Sequence, residues 1–72
     1  MEASPNHPVC IGLYDYSSRK GQDLSFMKGD LMYIINDKQD KWWFARKKDG
    51  GEEGYIPSNF VTEYKSDYIT AK

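Results

Sequence analysis

The chain has 72 residues, of which 39% are apolar, 15% aromatic and 29% charged, which allows one small domain and excludes a second core. Ten basic and eleven acidic side chains leave a net charge of -1 and a pI near 5.7, a balance that argues against a dedicated nucleic-acid binder. One cysteine cannot close an internal disulfide, one histidine with one cysteine cannot assemble a four-ligand zinc site, and no apolar run is long enough for a membrane-spanning helix or a signal peptide.

Residues 1–8 (MEASPNHP) hold two prolines and no apolar run, so they are expected to form a disordered leader. Met1-Glu2 is not the Met-Gly start that myristoylation requires. The folded part is expected over 9–62, with 63–72 a polar linker or tail. A core of that size contributes only on the order of 3 to 5 kcal/mol, so the fold must rest on dense local packing. The lone cysteine fits a reducing compartment, and the cytoplasm is the expected location.

Within 9–62, short alternating stretches recur and no amphipathic helix is visible. Residues 9–13 (VCIGL), 31–35 (LMYII) and 42–46 (WWFAR) read as the first three strands. Residues 48–51 (KDGG) are a hairpin turn signal, because glycine takes positive φ at little steric cost. A fourth strand follows at 53–56 (EGYI). Pro57 should stop it, Pro-Ser-Asn suits one helical turn, and 60–62 (FVT) is expected as the last strand. Five short strands at this length predict an all-β fold, a small five-stranded antiparallel barrel with one short 3-10 turn.

The connection over 14–30, about seventeen residues, is longer than most hairpin loops and in the range where loops carry function. In it Leu24 and Phe26 alternate with Ser25 and Met27, as in an irregular hairpin arm. Alternation predicts that Cys10, Gly12, Leu24, Phe26, Met32, Ile34, Ala45, Ile56 and Val61 point inward, small side chains facing large ones. This leaves Tyr14, Tyr16, Trp42, Tyr55 and Phe60 outside the core, where they either pack a minor core or form an exposed aromatic platform. Such a platform suits a polyproline II helix, which arrives extended and whose carbonyls have no internal partners. Those carbonyls can accept hydrogen bonds from tyrosine hydroxyls, the Trp42 indole and the Asn59 amide.

The strings GLYDY (12–16) and DLSFMKGD (23–30), the pair Trp42-Trp43 and GYIPSNFV (54–61) together resemble the Src-homology-3 (SH3) domain, most closely those of cytoplasmic tyrosine kinases of the Src and Tec kind. The resemblance implies a barrel whose long first connection is the RT loop, with 36–41 as the n-Src loop and 48–51 as the distal hairpin. It implies that Tyr14, Tyr16, Trp42, Pro57 and Phe60 form two proline pockets. Trp42 and Asp23, with Tyr55 on the margin, would bound a third that takes the arginine or lysine flanking a Pro-x-x-Pro core. Asn59 and Trp42 would donate to ligand carbonyls. The implied partners are proline-rich segments of other proteins, or an internal linker of the parent, and the implied role is that of a monomeric regulatory or targeting domain of a tyrosine kinase. Three positions depart from the family pattern. Gly21 stands where a second acid is common, Phe60 where tyrosine is usual, and Gly12 where alanine is usual, which removes a core methyl.

Other chemistry is disfavoured by inventory. Cys10 is expected to face inward and His7 lies in the leader, so no nucleophile has a base beside it, and the domain is expected not to be an enzyme. No metal or cofactor is expected: the acidic run 49–53 lacks the alternating oxygen ligands of a calcium loop. A barrel stacking single-stranded nucleic acid on the same rings is the rival reading, with Arg46, Lys47 and Lys48 at phosphates. Asp23, Asp37 and Asp40 beside the platform oppose it. Tyr68 in the tail is a weak candidate for phosphorylation.

Overall fold

A computed structural model describes residues 7–19 and 21–64. Most of the expected leader and tail, with Tyr68, lies outside the described residues.

The alternating apolar runs form strands, because a pleated strand sends successive side chains to opposite faces and these runs place one apolar set on the same face. The strands are β1 (Val9–Gly12), β2 (Leu31–Asn36), β3 (Trp42–Lys47), β4 (Glu53–Pro57) and β5 (Val61–Glu63), with a 3-10 turn at Ser58–Phe60. They make one antiparallel sheet of five strands in the order β4-β3-β2-β1-β5. The register brings Cys10 opposite Met32, Ile34 opposite Ala45 and Trp43 opposite Ile56.

All nine residues expected to point inward are buried. Eight of them form the core cluster, in which Cys10, Met32, Ala45 and Ile56 are wholly inaccessible, and Gly12 is buried beside them. Fully burying a side chain such as Met32 or Ile56 contributes about 1.5 to 3 kcal/mol. Tyr16, Trp43 and Phe60 pack against this cluster while remaining partly accessible. Two rings assigned to the platform, Tyr16 and Phe60, therefore serve the core as well.

Every strand differs from the sequence expectation by a residue at one end or both: β2, β3 and β5 each run one residue further, and the other differences have local causes. β1 stops at Gly12, where the chain leaves the β2 ladder: the Leu13 N–H donates to the Phe60 carbonyl at 2.7 Å. Phe60 is the last residue of the 3-10 turn, and β5 begins one residue later. Pro57 is the final residue of β4 and pairs with Trp42, which the sheet tolerates because β4 is an edge strand and a missing N–H costs no ladder bond there. The hairpin between β3 and β4 closes through Gly50 (φ 95°) and Gly51 (φ 76°), as the turn signal required.

The long first loop is folded back on the sheet. Its two arms join through reciprocal bonds between Tyr16 and Phe26, at 2.8 and 2.9 Å. Its tip docks on β4: the Leu24 N–H donates to the Tyr55 carbonyl at 2.8 Å, and the Tyr55 N–H to the Gln22 carbonyl at 3.0 Å. Gly54 makes this approach possible, because a Cβ there would stand 3.0 Å from the Gln22 carbonyl oxygen and from Leu24 N and Cβ. In the 27–30 turn, Asp30 caps the Met27 N–H and the Asp30 N–H returns to the Met27 carbonyl, each at 2.9 Å. Asp15 Oδ1 accepts from the Lys28 N–H at 2.8 Å.

Candidate aromatic groove

Trp42 begins β3 and faces away from the core, since the inward positions of that strand fall to Trp43 and Ala45. The register lays Pro57 opposite it. The turn after Pro57 is held against the end of the preceding loop, with the Ser58 N–H donating to the Lys41 carbonyl at 2.9 Å and its hydroxyl to the Asp40 carbonyl at 2.7 Å. Asn59 and Phe60 are thus fixed beside the indole. From the other side the long loop delivers Tyr16, whose ring meets Trp42 at 6.3 Å, Phe60 at 5.7 Å and Phe26 at 5.7 Å between centroids. Tyr14, 58% exposed, stands edge-on to Phe60 at 5.4 Å.

These rings leave three clefts that share Trp42 as a wall. The first, about 300 Å³, is lined by Gln22, Asp23, Gln39, Trp42 and Tyr55. The second, about 520 Å³, runs between Trp42, Tyr16, Pro57 and Phe60, with Asp15, Ser17 and Arg19 on its rim. The third, about 470 Å³, lies on the far side of Trp42 and Pro57, against Lys41, Ser58 and Asn59. Asp23, Trp42 and Tyr55 therefore meet in one cleft, Tyr16, Trp42, Pro57 and Phe60 in the next, and Trp42, Pro57 and Asn59 in the last. Tyr14 joins the row through its contact with Phe60.

Tyr55 is 40% exposed and leans on Phe44 at 5.1 Å. Asp23 is held by its own loop, for its Oδ1 accepts from the Ser18 hydroxyl at 2.6 Å and its Oδ2 from the Arg19 N–H at 3.0 Å and from the Tyr16 hydroxyl. That last bond to the Asp23 carboxylate holds the Tyr16 phenol above its usual pKa, with burial adding in the same direction. Gln22, Gln39, Arg19 and Lys41 were not singled out by sequence reasoning. They are ordinary polar loop residues in composition, and only the docking of two loops places them at the groove. Asp23 itself was reached through the family resemblance.

Chemically the groove offers flat apolar walls, a few hydrogen-bond donors and two carboxylates, Asp23 in the first cleft and Asp15 on the rim of the second. Among the described residues no group of three or more His, Cys, Asp or Glu side chains could hold a metal ion, and no helix is long and apolar enough to cross a membrane. Cys10 is buried in the core rather than near the groove, and burial pushes its thiol up to about 11.

Residues 11–58 match the family model described as "SH3 domain". Over 58 residues, 81% of this chain, the sequence is 43% identical to the protein named tyrosine-protein kinase Fgr of Mus musculus. The same identity and coverage hold for tyrosine-protein kinase Fgr of Rattus norvegicus. The matched segment covers 11% of the length of each relative.

Proposed function

The chain belongs to the SH3 domain family, and we propose that it binds proline-rich, polyproline II segments along the groove walled by Trp42. SH3 domains are non-catalytic protein-interaction modules, so the open question is what this one binds. The observation that carries the reading is the row of adjacent clefts on either side of one indole, with Tyr16, Phe60 and Pro57 as flat apolar partners. A polyproline II helix has three residues per turn and no internal hydrogen bonds. Its proline ridges fit between flat rings, and its carbonyls accept from the Trp42 indole and the Asn59 amide.

In this reading Tyr14, Tyr16, Trp42, Pro57 and Phe60 bind the Pro-x-x-Pro core. Asp23, Trp42 and Tyr55 receive a flanking basic residue. The ligand is a segment of another protein or an internal linker of the parent, and the domain acts as a monomeric cytoplasmic module that regulates or targets a tyrosine kinase or related signalling protein.

Amide chemical shifts followed during titration with a proline-rich peptide test this. Shifts are expected at Tyr16, Trp42, Asn59 and Phe60, with an affinity that changes little between about 50 and 300 mM salt, because apolar burial is not screened. Shifts confined to Arg46, Lys47 and Lys48, or affinity that collapses with salt, would overturn the reading in favour of a phosphate ligand.

A further inference from the structure

Resting on that peptide-binding reading, we infer that Lys41 is a specificity-determining residue: its ammonium, at the cleft on the far side of Trp42 and Pro57, selects proline-rich segments that carry an acidic residue between the prolines of the core.

The third cleft differs from the other two in charge. The first holds the Asp23 carboxylate with the neutral amides of Gln22 and Gln39, and the rim of the second carries one charge of each sign, Asp15 and Arg19. The third is lined by Lys41, Trp42, Pro57, Ser58 and Asn59, so its charged side chain is a cation.

That cation is not consumed by the fold. Arg46 pairs with Glu53, Lys47 with Asp30 and Glu52, and Lys48 lies over the Tyr33 ring. Lys41 is exposed, and among the described residues no carboxylate stands within ion-pairing reach of it. Asp40 precedes it but does not line the cleft, and its carbonyl accepts the Ser58 hydroxyl at 2.7 Å. With that hydroxyl engaged and the Asn59 amide turned to a ligand carbonyl, recognition of an acid falls to Lys41.

The backbone holds Lys41 at the cleft. Its carbonyl accepts the Ser58 N–H at 2.9 Å, and the next residue, Trp42, pairs with Pro57. Only the flexible stem of the side chain must be ordered on binding. A polyproline II helix turns by about 120° per residue, so prolines three apart share one face while the residues between them project to either side. With the proline face seated against Trp42 and Phe60, one of those intervening side chains passes over the indole edge toward the third cleft.

The test uses the full chain and peptides with one Pro-x-x-Pro core, carrying glutamate or glutamine at each intervening position in turn, with dissociation constants measured by calorimetry at about 50 mM salt. At one of the two positions glutamate should bind about two- to fivefold tighter than glutamine, the range of an exposed ion pair. Lys41→Gln, which keeps the backbone carbonyl that Ser58 uses, should bring this ratio to about one, and Lys41→Glu should invert it. Lys38→Gln removes the same charge from the same loop at a position that lines none of the three clefts, and it should leave most of the preference in place.

Equal affinities for glutamate and glutamine at both positions in the wild type would overturn the assignment. So would a preference that survives Lys41→Gln, or one that Lys38→Gln removes as fully. Should the Lys41 variants fail to fold, the wild-type ratio decides. Failure of every peptide to bind would overturn the peptide-binding reading itself, an outcome distinct from the others.

Discussion

Adding the single methyl of Gly12→Ala should destabilise the domain, although alanine is the residue the family pattern leads one to expect there. A Cβ built on Gly12 would sit 2.8 Å from the Met27 carbonyl oxygen, 3.1 Å from Cδ1 of Phe26 and 3.3 Å from its Cε1. The sequence suggested a missing core methyl, but the structure holds no vacancy for one. The nearest obstacle is backbone, and it is not idle: the Met27 carbonyl accepts the Asp30 N–H at 2.9 Å, while the Gly12 carbonyl accepts the Gly29 N–H at 2.9 Å. Overpacking of this kind typically costs about 1 to 3 kcal/mol. Against it stands the lower entropy of the unfolded chain, worth about 0.4 to 1 kcal/mol, since Gly12 is not among the positive-φ glycines and alanine can adopt its backbone. The net loss is then roughly 0 to 2.6 kcal/mol, about 1.3 kcal/mol at the middle of both ranges. For a domain of this size each kcal/mol lowers Tm by about 4 to 8 °C. Urea denaturation should show a lower midpoint at unchanged m, and amide exchange at Asp30 should accelerate. A variant more stable than the wild type would refute the steric argument.

Cys10 should resist thiol reagents in the native state and react readily in denaturant, because its thiol is buried. Its folded pKa, pushed up from 9.0 to about 11, means that the native state retains a proton the unfolded chain releases. The resulting stability is complete below pH 9 and is lost as pH rises through about 11. Cys10→Ala should therefore flatten the alkaline decline seen in urea midpoints, whatever its effect at neutral pH, and an identical decline would refute the assignment. Asp23→Asn should weaken a proline-rich peptide flanked by arginine by less than about fivefold, the value of a solvent-exposed ion pair, and leave its alanine-flanked counterpart nearly unchanged. An equal loss for the arginine-flanked and alanine-flanked peptides, measured by calorimetry at low salt, would contradict the placement of the basic residue at Asp23.

The strand faces were legible in the sequence because alternation is a local property. Cys10, Met32, Ile34 and Ala45 could be assigned to the core without knowing which strand lay beside which. Strand ends were less so. The sequence does not reveal that the Leu13 N–H meets Phe60, or that β4 is an edge strand able to end on a proline. Of the groove, Trp42 and Tyr16 stood out as large rings that alternation left outside the core, although Tyr16 packs against it as well. Gln39 and Arg19 did not, since long-range loop docking gives no periodic signal. The occupancy of Asp23 was equally hidden. Its donors at positions 16, 18 and 19 act together only because the loop folds back on itself.

The central claim is that Trp42 is the shared wall of a groove for proline-rich segments. The most direct test is calorimetric titration of a folded Trp42→Ala variant with a Pro-x-x-Pro peptide. An anchor at the centre of an interface carries about 2 kcal/mol or more, so the dissociation constant should rise roughly thirtyfold or beyond while the far-ultraviolet spectrum of the domain is retained. A dissociation constant equal to that of the wild type would contradict the account.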